Sequence, residues 1–251
     1  DMMRVVITDP SYIEKACKYA NKLKSLGYTI GLNPIRIDSY SENELSEYFS
    51  VISKFKPNID YFFMADTYGS IDLSKISKLI DIYNEEFLSK QNNAVKLGFH
   101  GHNNLGLGIA NSLKAVDLGA AVVDTSVRGL GRSSGNANTE IFLLALKRKS
   151  IDLGIEVKQI LDLAEKVIDD YLKNYNQINS IDIISGYAQF HSSFLGLVFK
   201  YADKHRVDPR DLIVSVSEHD RVNADSGLIE MLASDLSKKS RENKRISMDA
   251  D

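Results

Sequence analysis

The sequence predicts an α/β protein, a parallel sheet with helices packed against it, followed by an all-helical region. Three observations carry that prediction. Short β-rich apolar runs begin roughly every 25–35 residues through the first two-thirds of the chain, the length of one βα unit. Each run is followed by a stretch with apolar residues at helical spacing. After about Gly154 the strand-like runs stop and only helical periodicity remains.

Residues 3–7 form the first predicted strand, ending at Thr8-Asp9-Pro10, a capping side chain followed by Pro at a first helical position. Ile13, Ala16, Ala20 and Leu23 then fall on one helix face, and Gly27 closes the helix. The cycle repeats with a strand over 28–37 and a helix over 42–55 that places Leu45, Phe49 and Ile52 together. A third strand, "IDYFFMA" over 59–65, precedes a helix over 73–88; a fourth over 95–102 precedes one over 107–118. The fifth strand spans 120–127, and after a Gly-rich loop a helix runs through Lys147.

Continuous apolar strands with intervening helices imply a parallel sheet covered on both sides. Polar residues collect where strands end: Asp66 and Thr67, His100 and His102, Asp124 and Thr125, Arg128, Asn136. That placement suits either the C-terminal mouth of a (β/α) barrel or the carboxyl edge of an open doubly wound sheet. Beyond Gly154, helices are predicted over 157–175, 187–204, 209–217 and 226–236, and the polar tail over 237–251 is expected to be disordered.

Composition narrows the function. With 43% hydrophobic and 26% charged residues in 251, the chain has the profile of a globular protein with a sizeable core. A net charge of −3 gives no support for nucleic acid as the main partner. No apolar run reaches membrane-spanning length and no signal peptide opens the chain. The single cysteine, Cys17, excludes an internal disulfide framework, reads as a small core residue and points to a reducing cytoplasm.

The stretch "GFHGHNN" over 98–104 holds two of the five histidines. Alternate residues on a strand point the same way, so His100 and His102 share a face and can supply two nitrogens to one ion. A catalytic metal normally takes three or more protein ligands; Asp66 and Asp124 are the carboxylates at strand ends, and each could equally cap a helix or anchor a loop. The run "GLGRSSGN" over 129–136 lacks the Gly-Lys-Ser/Thr ending of a nucleotide loop. Its glycines are expected to let backbone pass close to a ligand.

The stretch "GFHGHNNLGLGIANSLKAVDLGAAVVDTSVRGLGRSSGNANTE" over 98–140 closely resembles the metal-dependent pyruvate-type aldolase and acyl-CoA lyase/synthase superfamily. That superfamily includes 4-hydroxy-2-oxovalerate aldolase, hydroxymethylglutaryl-CoA lyase, isopropylmalate synthase and homocitrate synthase. The H-x-H-N, the A-N-S-x-x-A-V-x-x-G-A helix and the G-x-G-x-x-x-G-N loop match in order and spacing, and "FFMADTYGSI" resembles the family's strand ending in A-D-[ST]-x-G. The resemblance implies a (β/α)8 TIM barrel in which His100 and His102 bind a divalent cation, Mn²⁺ or Mg²⁺, with Asn136 beside them as a ligand.

It also implies a T-L-R-D-G motif on the first barrel strand that carries the carboxylate ligand and a catalytic arginine, and no such motif occurs in this sequence. Aligned by its motifs, the stretch over 3–7 corresponds to the fourth barrel strand and that over 120–127 to the eighth. The expectation is therefore the last five βα units of a barrel, the C-terminal portion of a longer enzyme and inactive alone. The expected domains are a partial barrel over 1–156, a helical C-terminal domain over 157–236 and the tail.

The stretch "ISGYAQFHSSFLGLVFKYADKHRVDPRDLI" over 184–213 resembles the aldolase branch, with His191 where the aldolases place a second tyrosine near substrate. The activity implied is cleavage of a 4-hydroxy-2-oxo acid, such as 4-hydroxy-2-oxovalerate, to pyruvate and an aldehyde. His191 and Arg132 are the catalytic candidates, Asp66 and Thr67 the substrate-binding ones; His205 and His219 are expected to be ordinary surface residues. The aldolase branch further implies an acylating aldehyde dehydrogenase as partner and a homo-oligomer. A Claisen-type acyl-CoA synthase and a catalytically incomplete scaffold are the alternatives.

Overall fold

The computed structural model of the protein describes residues 1–91, 94–172, 179–221 and 223–248. It divides into two compact units, Asp1–Gln177 and Ile178–Asp251. Unit 1 holds five strands, β1 (Met2–Ile7), β2 (Thr29–Pro34), β3 (Tyr61–Asp66), β4 (Lys96–Gly101) and β5 (Val122–Asp124), all parallel and in the order β1-β2-β3-β4-β5. Helices α1 (Ile13–Ser25), α2 (Glu42–Lys54), α3 (Leu73–Glu86), α4 (Gly108–Asp117) and α5 (Thr139–Arg148) follow the strands in turn. The strand order has no reversal, so the doubly wound alternative is not realised.

Local chemistry starts the helices where the sequence places them. Asp9 accepts from the Ser11 amide ahead of Pro10, and Asp72 accepts from the amides of Ser74 and Lys75 at the start of α3. Ser41 and Glu44 close a reciprocal capping box on α2.

The expected cover on both faces is not what forms. Crossovers that always step the same way put every helix on one side of the sheet. Each helix accordingly packs on the next, from α1 to α5. Val5, Leu32, Phe62 and Leu97 lie in register on the helix-bearing face and join one buried core with Phe49, Ile52, Ile80, Tyr83 and Phe87. The opposite face carries Arg4, Gly31, Tyr61, Phe63, His100 and Asp124 by strand alternation.

Several boundaries differ from expectation. Strand β5 keeps only three residues of the predicted 120–127, because Ser126 pairs with the 137–139 segment instead of extending along β4. Helix α6 (Val157–Leu163) runs into a π-helical turn (Ala164–Ile168) and a last turn, α7 (Asp169–Tyr171); the rest of the predicted helix, 173–175, lies outside the described residues. This segment belongs to unit 1, so the division falls after residue 177 and not after 156. Two contacts explain it: α6 packs on α5, and the Arg128 guanidinium grips Asp169 at 2.9 and 2.7 Å.

Unit 2 is helical: α8 (Ser180–Ala188), α9 (Leu195–His205), α10 (Pro209–His219) and α11 (Ser226–Met248), around Val198, Leu212, Ile213, Val216 and Ile229. The predicted continuous helix over 187–204 is broken at Gln189, whose left-handed backbone (φ 55°) ends α8 and lets Phe190 turn into the core. The backbone of α11 stays helical through Met248, where disorder is predicted from 237; residues 249–251 lie outside the described residues. Among the described residues no helix is long and apolar enough to cross a membrane.

Two glycines shape the helix-free face. A Cβ on Gly98 would lie 2.4 Å from the Phe63 ring, and one on Gly31 would lie 2.9 Å from the same ring, so Phe63 lies flat across both strands. Gly98→Ala is expected to destabilise unit 1 by about 1–3 kcal/mol, the cost of overpacking a filled site. Gly196→Ala, in α9 with open space around it, is expected to be neutral or stabilising by up to about 1 kcal/mol. Equilibrium urea unfolding of both variants checks the contrast.

Candidate metal centre

The two motif histidines straddle the carboxyl end of β4. His100 is the fifth residue of β4; His102 follows the strand end and bridges antiparallel to Asn136. Their Nε2 atoms stand 3.4 Å apart with the rings nearly perpendicular, at 81°. The Nδ1 atoms are committed elsewhere: His100 Nδ1 lies 3.0 Å from Asp124 Oδ2, and His102 Nδ1 lies 3.2 Å from the Gly135 carbonyl. A carboxylate and a carbonyl only accept, so both Nδ1 atoms carry the hydrogen. In the neutral rings, two Nε2 lone pairs then face each other. Metal–imidazole bonds of about 2.0–2.1 Å can reach one ion from nitrogens at this separation.

The glycine loop carries Asn136, the candidate for a third donor. A Cβ on Gly135 (φ +82°) would meet the Gly129 carbonyl at 2.1 Å, and one on Gly131 would meet the Asn136 side chain at 2.6 Å. The glycines thus let the backbone pass close to itself and to Asn136, where passage close to a ligand was expected. The Asn136 amide donates to the Gly129 carbonyl at 2.9 Å, and Nδ2 donates to the Leu130 carbonyl at 3.2 Å. Its Oδ1 is buried and accepts no hydrogen bond. Residues paired across an antiparallel bridge put their side chains on the same side, so the Asn136 and His102 side chains share a side. Two imidazole nitrogens and an amide oxygen fit a divalent cation. Among the described residues no group of three or more His, Cys, Asp or Glu could hold one.

Asp124 is not a further donor at this point, since its Oδ2 is spent on the Nδ1 side of His100 and on Arg4 Nη1 at 2.6 Å. Burial opposes its charge, but the hydrogen bonds from His100 and Arg4 hold the carboxyl below its ordinary range. Asp66 is fully buried, and its Oδ1 accepts from the amides of Ser70 and Ile71 at 2.9 and 3.3 Å. Thr67 Oγ1 accepts from the Arg36 amide at 2.7 Å. Both side chains hold the loop after β3, whose Asp66 and Gly69 carbonyls accept from the amides of His102 and Leu105 at 3.4 and 3.3 Å.

Arg132 stands in the glycine loop; partial burial and then the nearby Arg36 push its guanidinium below its ordinary range, while Tyr68 and Asp38 act the other way. His191 lies in unit 2, where its Nδ1 caps the turn Ser192–Phe194 by accepting from the Ser193 amide at 3.2 Å. His219 donates Nδ1–H to the Ser215 carbonyl at 2.8 Å, and His205 approaches Glu230 at 4.0 Å, both also in unit 2. Burial pushes the Cys17 thiol up to about 12, as befits an inert core residue.

Two residues that hold the surroundings of the histidine pair and of Asp66 were not singled out from the sequence. Arg4 had a signal, a lone charge inside the apolar run "MMRVVI". Asp38 had none. It is fully buried, its Oδ2 accepts from the Tyr68 amide at 2.8 Å and the Ser70 hydroxyl at 3.4 Å, and it pairs with the Asp66 carboxyl.

A parallel sheet with its helices on one side and a histidine pair at the carboxyl end of a strand defines a TIM-barrel-type α/β protein. Residues 5–167 match the HMGL-like family model, and the chain belongs to that family. It is 34% identical over 185 residues to a 4-hydroxy-2-oxovalerate aldolase of Stutzerimonas stutzeri, covering 74% of this chain and 52% of that protein. A Geobacillus stearothermophilus protein of the same name is 38% identical over 153 residues, covering 61% of this chain and 45% of its own length. The chain spans about half the length of these curated relatives. Among solved structures, the N-terminal domain of a putative aldolase from Bacteroides vulgatus matches with TM-score 0.63 and 27% identity, over 74% of this chain and 59% of that one.

The Asp38–Asp66 pair makes stability depend on pH. Burial raises both carboxyls, and the Asp38 charge raises Asp66 further, well above its ordinary 3.8. A raised folded-state pKa gives stability that is full below the unfolded value and is lost as pH climbs to the folded one. Asp66→Asn keeps a donor toward Asp38 without titrating. The stability of the wild type relative to Asp66→Asn is expected to fall as pH rises above about 4, by up to about 1.4 kcal/mol per unit. Urea unfolding of both proteins across pH checks it; parallel profiles would contradict it.

Proposed function

We propose that the protein contributes the metal-binding half of an aldolase that cleaves a 4-hydroxy-2-oxo acid to pyruvate and an aldehyde. The observation that carries this reading is the pair of Nε2 atoms, 3.4 Å apart, with each Nδ1 already bonded away from the site. Membership of the HMGL-like family and the shared name of the relatives support the chemistry.

His100, His102 and Asn136 would hold the cation, and oxygen-rich remaining positions favour Mn²⁺ or Mg²⁺. A divalent cation bound there supplies Lewis acidity to a chelating 2-oxo acid. The Gly135 carbonyl and Asp124 keep the two imidazoles turned toward the cation. Arg132, at the mouth, is proposed to meet the substrate carboxylate, and Thr67 and Asp66 keep the adjoining loop in place. A carboxylate ligand and catalytic arginine of the T-L-R-D-G type are absent from this sequence, so turnover is proposed only for a barrel that supplies them.

Mn²⁺ at about a hundredfold excess over its Kd is expected to stabilise the chain by about 2.7 kcal/mol, a rise of several degrees in Tm. His100→Ala and His102→Ala should each abolish the rise and Asn136→Ala should reduce it, read by differential scanning calorimetry. No rise in the wild type would remove the metal reading. Coupled assays on the complete barrel then separate pyruvate release from thiol release with acetyl-CoA.

A further inference from the structure

His100 and His102 are oriented by unlike means. The acceptor for His102 Nδ1 is the Gly135 carbonyl, which is part of the backbone and also takes the Asn103 amide at 3.0 Å. The acceptor for His100 Nδ1 is a side chain, Asp124, on a strand only three residues long. A carboxylate on a single χ1 and χ2 does not hold a ring still unless something holds the carboxylate.

Arg4 provides that hold. It projects from β1, at the far edge of the sheet from β5, and its Nη1 donates to Asp124 Oδ2 at 2.6 Å, the same oxygen that His100 uses. Its guanidinium lies 3.6 Å from the centre of the Phe63 ring, and Nη2 reaches Asn33 Oδ1 at 3.5 Å. The stem passes over Gly31, where a Cβ would come within 3.2 Å of it. The guanidinium is thus set by β2 and β3 before it meets Asp124, and the side chains of the ion pair are 31% and 24% exposed.

We propose that Arg4 and Asp124 are positioning residues that fix the ring orientation and Nδ1–H tautomer of His100, presenting Nε2 to the cation. The inference rests on the metal reading of the site. Outer partners of ligating histidines change metal affinity by about 10–100-fold when removed, whereas a partly exposed ion pair that served only stability would leave Mn²⁺ affinity unchanged.

The test uses the whole chain and Mn²⁺ alone, with affinity from calorimetric titration and the imidazole tautomer from long-range ¹H–¹⁵N spectra of the metal-free protein. Arg4→Met and Asp124→Asn are expected to weaken Mn²⁺ binding about tenfold or more, with Arg4→Lys recovering part of the loss. The wild-type spectrum should show His100 in the Nδ1–H form and Asp124→Asn a mixture. Urea unfolding identifies any variant that fails to fold, and the near-isosteric Asp124→Asn and Arg4→Lys then decide. Wild-type binding with unchanged affinity and tautomer in the variants overturns the inference. A wild type that binds no Mn²⁺ overturns the metal reading instead, and the tautomer spectra alone then decide the positioning role: an Nε2–H form in the wild type rejects it, Nδ1–H lost in Asp124→Asn supports it.

Discussion

Every crossover in the sheet steps in the same direction, and the rest of unit 1 follows from that constraint. The helices after the strands collect on one face, so among the described residues of unit 1 the other face satisfies its own polar groups. It does so with Arg4, which would be an expensive charge beside Phe63 and Val6 if left alone. A guanidinium on an aromatic face is worth about 0.5–1 kcal/mol when exposed and about 2 when desolvated. What the arrangement fixes is position: the charge ends where Asp124 can meet it, and Asp124 ends where His100 can meet Asp124.

The fold was legible because it rests on periodicity. All five strands and the helices between them fall where alternating apolar runs and helical spacing place them, and the caps at Asp9 and Asp72 are local. What misled the reading was non-local. Gln189 carries no breaker signal, and only the burial of Phe190 explains why the chain turns there. The shortened β5 depends on a pairing between Ser126 and a segment eleven residues on. At the site, the H-x-H spacing implied a shared face, which the geometry bears out, while Asp124 as orienter and Arg4 as its anchor needed the curl of the sheet to be seen.

Two buried oxygens without an acceptor bond show how differently the chain treats similar atoms. Asp66 Oδ2 and Asn136 Oδ1 are both enclosed, and an unmet buried polar atom costs about 1–3 kcal/mol. For Asp66, burial and the Asp38 charge raise the carboxyl well above its ordinary range, which favours the protonated form that can donate toward Asp38. A carboxamide has no such recourse. Its oxygen accepts only, and Nδ2 is already turned toward the Leu130 carbonyl, so Oδ1 can be satisfied only by an incoming donor or a cation. Three glycines bring the backbone close enough to hold the side chain in that state.

Charge then sets what the site can bind. Two neutral imidazoles and a carboxamide contribute donor atoms and no charge, and Asp124, the carboxylate that meets His100, is paired with Arg4. A divalent cation held by this set keeps nearly its full positive charge, and hard cations such as Mn²⁺ and Mg²⁺ draw anionic oxygen to their remaining positions. The proposed substrate brings a carboxylate beside a carbonyl, which is the charge and the bite the cation lacks. Had Asp124 faced Nε2, it would have filled that need from within the chain and competed with the substrate for the same position. In the proposed site the Arg4–Asp124 pair therefore does two things at once: it would turn His100 toward the cation, and it would keep a nearby carboxylate away from the positions that an anionic ligand must enter.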